Sequence, residues 1–148
     1  MGQGYLYKCS RCGEEYSVNK GIGMMFPSEY KSIVSNIRKG RFGKEMQNDF
    51  NKVPHMAVDI ERNYYECDDC GYWDVLNCLD LYEPKDISEE KDSYVMSDEL
   101  KANYILFRKY EHRCPECNGH MTERNRRKKV RCPRCGHKNM PAGMCMWD

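Results

Sequence analysis

The chain has 148 residues, 32% charged and 40% hydrophobic, and the hydrophobic share includes ten cysteines and ten methionines. That length allows one ordinary domain or two small ones, and the composition excludes a large apolar core, so a covalent or metal staple is expected. The net charge of +1 is unevenly spread: residues 111–148 hold nine Lys/Arg against four Asp/Glu, and residues 59–99 hold three against fourteen. The chain as a whole is therefore not a general polyanion binder, and only its C-terminal part is a candidate for that role.

The N-terminus, MGQGYLYKCSRC, has no apolar run of the signal-peptide kind. No later stretch approaches the roughly 18 apolar residues of a membrane span. These features predict a cytoplasmic protein with no membrane partner. In that reducing compartment, paired cysteines point to metal rather than to disulfides.

Eight of the ten cysteines fall in four Cys-x-x-Cys knuckles: KCSRCG (8–13), ECDDCG (66–71), RCPECN (113–118) and RCPRCG (131–136). A knuckle turns its amides toward the sulfurs, and a residue near its end often needs positive φ. Gly follows the second cysteine in three knuckles and Asn118 in the other, which suits that need.

Between the first two knuckles, Ser28 is placed to cap a helix whose apolar face is Tyr30, Ile33, Val34 and Ile37, and Gly40 is placed to stop it. A weaker helix is expected over 42–50, with Met46 on the same side and Gly43 weakening it. HMAVDIERNYYEC then alternates, with Met56, Val58 and Ile60 on one face, and predicts one strand running into the second knuckle. Trp73, Val75, Leu79 and Leu81 alternate after it, interrupted by Asn77. The acidic stretch EPKDISEEKD (83–92) has no periodicity and reads as a linker, and YILFRKYEHR (104–113) reads as a strand into the third knuckle. The expected organisation is residues 1–84, a linker at 85–93, and a basic unit at 94–148.

Structural zinc takes a tetrahedron of thiolates, and two knuckles supply four. Four knuckles can pair in three ways. The 14-residue gap between Cys117 and Cys132 and the low entropy of short loop closure favour sequential pairing. That places Cys9, Cys12, Cys67 and Cys70 on one Zn²⁺, and Cys114, Cys117, Cys132 and Cys135 on another. An interleaved arrangement, first with third and second with fourth, is the alternative. Cys78 reads as a small buried hydrophobe in a strand. Cys145, beside Met140, Met144 and Met146, fits a tail packing Met and Trp147 on the fold better than a Cu(I) site.

CPECNGHMTER (114–124) is similar to the small zinc ribbons attached to topoisomerases, and YKCSRCGEEY (7–16) resembles the first knuckle of rubredoxin. The resemblance covers the knuckles and a few flanking residues. It implies a small metal-bound α+β fold of two rubredoxin-like zinc ribbons, the first with a helical insertion, and it implies the eight cysteines as ligands. It does not imply one function.

Sites closed by four thiolates, with no His-x-Glu or His-Glu-x-x-His signature, point away from an enzyme, and no small-molecule substrate is evident. His55, His112, His120 and His137 are scattered, and read as surface residues. Arg124, Arg126, Arg127, Lys128, Lys129 and Arg131 crowd the loop between the last two knuckles and form the candidate contact with DNA or RNA. Against it, residues 111–146 contain no Phe, Tyr or Trp for base stacking. The alternative is a protein-interaction module with purely structural zinc, using the acidic 59–99 surface and the apolar helix at 28–39. A rubredoxin-like electron carrier, with iron in the same sites, is a third reading.

Overall fold

The structure is a computed structural model and describes residues 2–88, 93–124 and 129–147. In chain order the elements are β1 (Gly2–Lys8), β2 (Glu15–Lys20), α1 (Phe26–Arg38), α2 (Lys44–Lys52), β3 (Ala57–Val58), β4 (Arg62–Cys67) and β5 (Trp73–Asn77). There follow β6 (Leu81–Pro84), α3 (Ser97–Asn103), β7 (Tyr104–Arg108), β8 (Met121–Glu123), β9 (Val130–Arg131), β10 (Lys138–Asn139) and β11 (Gly143–Trp147). Helices and small antiparallel sheets together make an α+β fold. Among the described residues, no helix is long and apolar enough to cross a membrane.

Two compact units form, and neither is a continuous piece of chain. The first combines Met1–Gly23, Arg62–Leu76 and Glu111–Asp148; the second combines Met24–Glu61 and Asn77–Tyr110. The expected division at 85–93 cuts across the second unit instead of separating two. The cause is strand pairing between distant segments, β1 with β11 and β4 with β8, which draws all four knuckles into the first unit. Of the expected linker, residues 89–92 lie outside the described residues, and Glu83 and Pro84 belong to β6.

In the first unit, β1 and β2 form a hairpin in which Tyr7 faces Tyr16 and Lys8 faces Glu15, so the first knuckle is its turn. On the other edge of β1, β11 pairs Gly2 with Trp147 and Leu6 with Gly143. The tail therefore does pack on the fold, but as a strand beside the first knuckle's hairpin. A β-carbon at Gly2 would collide with the Trp147 ring. In the second sheet β4 lies between β5 and β8. A small core of Tyr7, Val18, Tyr64 and Val130, with Trp73 packed against it, links these hairpins. The Tyr7 and Tyr16 rings stack at 5.0 Å and those of Tyr64 and Trp73 at 5.4 Å.

In the second unit, α1 buries Phe26, Tyr30, Ile33 and Ile37, close to the expected face. It begins before Ser28, with Pro27 in its first turn and no side-chain cap. Proline's fixed φ suits that position without a capping oxygen. Gly40, at φ 78°, ends it as expected. Because the apolar face of α1 is buried in its own unit, it is not an exposed docking face. The helix α2 buries Met46 and Phe50. The expected continuous strand over 56–67 is two strands, β3 and β4. Met56, Ala57, Val58 and Ile60 are all buried, and the pairing switches where Asp59 accepts from Leu79 N–H and donates its own N–H to the Asp80 carbonyl. Strand β7 ends at Arg108, before the third knuckle, because it pairs with β6. Cys78 is buried as expected, but in the turn between β5 and β6 rather than in a strand.

Candidate metal centres

All four knuckles have one local geometry. The amides of Cys9, Cys67, Cys114 and Cys132 donate to the carbonyls of Glu14, Tyr72, Gly119 and His137, at 2.7–2.9 Å. A second bond returns from Gly13, Gly71, Asn118 and Gly136 to the first cysteine's carbonyl, at 2.8–3.2 Å. Those four residues have φ of 78°, 79°, 61° and 80°, the left-handed conformation that Gly adopts freely and Asn tolerates. A β-carbon at Gly71 would also meet the Arg131 guanidinium at 2.6 Å, and that flexible side chain would have to move aside.

The eight cysteines form two groups, but not the expected ones. Cys9 and Cys12 meet Cys132 and Cys135, and Cys67 and Cys70 meet Cys114 and Cys117, with the sulfurs of each group within 4.8 Å of one another. The pairing is nested, first knuckle with fourth and second with third, and replaces both the sequential and the interleaved arrangements. Strand pairing accounts for the inner group, since β4 sets Cys67 opposite Met121, the residue just beyond the third knuckle. Side chains account for the outer one. Tyr16 donates to the Val130 carbonyl at 2.8 Å, and the Trp73 indole donates to that of Arg131 at 2.7 Å.

The sulfurs suit a tetrahedral ion. An ion about 2.3 Å from each of four sulfurs sets them about 3.8 Å apart. Across the groups, Cys9–Cys135 and Cys12–Cys132 are 3.5 and 3.7 Å apart, and Cys67–Cys117 and Cys70–Cys114 are 3.5 and 3.6 Å apart. All ten cysteines are free of disulfides. Amides of Cys70, Glu116 and Arg134 donate to the sulfurs of Cys67, Cys114 and Cys132 at 3.4–3.5 Å.

Electrostatics also call for a cation. Burial pushes the Cys9 thiol up, but the amides of Cys12 and Arg11 and the Asn139 side chain outweigh it and leave it at about 5. The Cys70 amide is the main influence drawing Cys67 down to about 7. At Cys12 an amide hydrogen bond pulls down, but burial and the neighbouring sulfurs hold the thiol at about 12. Cys117, drawn down by an amide and pushed up by Cys67 and Cys70, also stands at about 12. Four sulfurs this close cannot all be thiolates unless a positive ion sits among them. Each group could hold one metal ion.

A different clamp holds each group. At the outer one, buried Asn139 accepts from Ser10 N–H at 3.1 Å and from its hydroxyl at 3.3 Å, and donates to Tyr16 Oη at 3.1 Å. At the inner one, Asp68 accepts from Thr122 at 2.8 Å and from Arg124 at 3.2 Å, with His120 at 3.3 Å. The Thr122 hydroxyl, then His120, hold the Asp68 carboxyl below its ordinary range. Spacing alone gives no sign of Asn139 or Asp68, since each acts on a knuckle far away in the chain.

Of the six basic residues expected to meet nucleic acid, Arg126, Arg127 and Lys128 lie outside the described residues. Arg124 is engaged by Asp68, and Arg131 donates to the Cys70 carbonyl at 3.4 Å. Lys129 is exposed. His112 is buried against Tyr65, with ring centroids 4.4 Å apart, rather than on the surface. The chain finds no match among known protein families, curated proteins or solved structures.

Proposed function

We propose that this chain is a non-catalytic, cytoplasmic protein whose two four-cysteine centres each hold a structural Zn²⁺, and whose basic C-terminal loop, between β8 and β9, contacts nucleic acid. The carrying observation is the closure of both centres. Four sulfurs at tetrahedral spacing leave no coordination position for water or substrate, which is the arrangement of a structural zinc rather than a catalytic one. Support for the nucleic-acid contact is the excess of nine Lys/Arg over four Asp/Glu across residues 111–148. Arg124, Arg131 and Arg134 are engaged within the fold, so in this reading Lys129 and the loop residues 126–128 bind the phosphates.

Fluorescence anisotropy of the zinc-loaded protein with generic DNA and RNA, across a salt series, tests this. The comparison variant changes Arg126, Arg127, Lys128 and Lys129 to Ala and leaves Arg124 in place, because Arg124 also clamps the inner centre. Salt-dependent binding should weaken in the variant, and its salt slope should become shallower by about one for each phosphate no longer neutralised. Binding indifferent to the variant would leave the loop as scaffold.

One observation favours a protein-interaction module instead. Strand β7 is a sheet edge, and its Ile105, Leu106 and Phe107 are all exposed. Such an edge can accept an added strand from a partner. A complex that survives nuclease and high salt and fails in Leu106→Lys would favour that reading.

A further inference from the structure

The second unit contains a cavity of about 640 Å³, within the range of small-molecule sites. Its floor is apolar and aromatic, built from buried Tyr30, Phe50, Met56 and Tyr104. Lys31, Arg38 and Lys39 stand on its rim, all from one stripe of α1, because positions 31, 35, 38 and 39 recur at helical spacing. His55 completes the rim from a left-handed backbone position, φ 56°, that few non-glycine residues adopt. No carboxylate is among the described residues that line it.

Several of the protein's arginines are held by carboxylates. Arg108 is met by Glu45 and Asp49, Arg124 by Asp68 and Arg134 by Glu14. Lys31 and Lys39 have no such acidic partner among the described residues, and the Arg38 guanidinium lies 5.6 Å from the centre of the Phe50 ring. Cations gathered at the mouth of an apolar cup leave a place for an anionic head whose body enters the cup. Three of them, one a guanidinium, suit a doubly charged phosphate better than a single carboxylate. Three aromatic floor residues suit a flat ring.

We propose that this cavity binds a small phosphate monoester carrying an aromatic body, with a nucleoside 5′-monophosphate as the simplest of that class. The phosphate meets Lys31, Arg38 and Lys39, and the ring lies on the Tyr30–Phe50–Tyr104 floor. Neither the four-cysteine centres nor the basic loop takes part, so this site stands or falls separately from the function proposed above.

The test is titration calorimetry and amide NMR of the zinc-loaded full chain. The probes are the four ribonucleoside 5′-monophosphates, the matching nucleosides and inorganic phosphate. At least one monophosphate should bind saturably and shift the amides of residues 31, 35, 38, 39 and 55. The variant Lys31→Ala/Lys39→Ala, which removes two exposed side chains, should retain the fold and weaken that binding by about tenfold or more. Failure of all four monophosphates to bind would overturn the proposal. So would equal affinity for inorganic phosphate or for the bare nucleoside, or binding unchanged in the variant.

Discussion

The two four-cysteine groups share one knuckle geometry and differ in almost everything around it. The outer centre (Cys9, Cys12, Cys132, Cys135) has two buried and two half-buried cysteines, and a buried neutral amide, Asn139, clamps it. The inner centre (Cys67, Cys70, Cys114, Cys117) has two exposed cysteines, and a partly exposed carboxylate, Asp68, clamps it. The knuckle fixes the geometry of the sulfurs, and the clamp sets how solvent, salt and acid would reach an ion held there. Groups that hydrogen-bond around a set of ligands tune metal affinity while leaving the ligands themselves unchanged.

The largest effect should come from the ligands themselves. Cys132→Ser and Cys114→Ser should each lower the zinc content from two ions to one and abolish the cooperative melt of the first unit, because binding free energy of the order of 10 kcal/mol is folding free energy there. Zinc analysis with a thermal melt reads this, and an unchanged melt after complete metal removal would contradict it. Next in size is the order of metal loss. A chelator or thiol reagent should empty the inner centre first, since Cys70 and Cys117 are exposed while Cys12 and Cys135 are half-buried. Simultaneous release from both centres would erase the distinction.

The clamps should separate more finely. Asn139→Ala leaves the Ser10 amide and hydroxyl without their partner in a part-buried site, and should cost about 1–3 kcal/mol regardless of salt. Asp68→Asn removes an exposed ion pair and should cost less than Asn139→Ala, and less still as salt rises. Chemical denaturation in low and high salt compares them. The sign with pH follows from the lowered Asp68 carboxyl. Its contribution is complete above the unfolded-state value and lost as pH falls through the folded one. Asp68→Asn should therefore flatten the acid limb of a stability profile, and Asn139→Ala should not.

How much of this is legible in the sequence depends on whether the signal is local. The knuckles, the left-handed residue after each, the α1 face ending at Gly40 and the burial of Cys78 all lie within a few residues of their cause. The pairing of knuckles does not. Cheap closure of short loops favours sequential pairing, yet loop entropy rises by only about 0.6 kcal/mol per doubling of length. Cys70 and Cys114 are 44 positions apart and Cys12 and Cys132 are 120 apart, but closing the inner group shortens the loop left for the outer one. A short β4–β8 ladder and single residues such as Asn139 and Tyr16 then decide the partner, and no periodicity announces them. The same non-local pairing places the unit boundaries at Gly23, Glu61, Leu76 and Tyr110.

The nested pairing is the central claim, and cadmium NMR tests it most directly. The full chain would be loaded with ¹¹³Cd, and scalar couplings from each ion to cysteine β-protons would be recorded. One ion should correlate with Cys9, Cys12, Cys132 and Cys135, and the other with Cys67, Cys70, Cys114 and Cys117. A single ion coupled to both Cys12 and Cys67, or to both Cys117 and Cys132, would contradict the account.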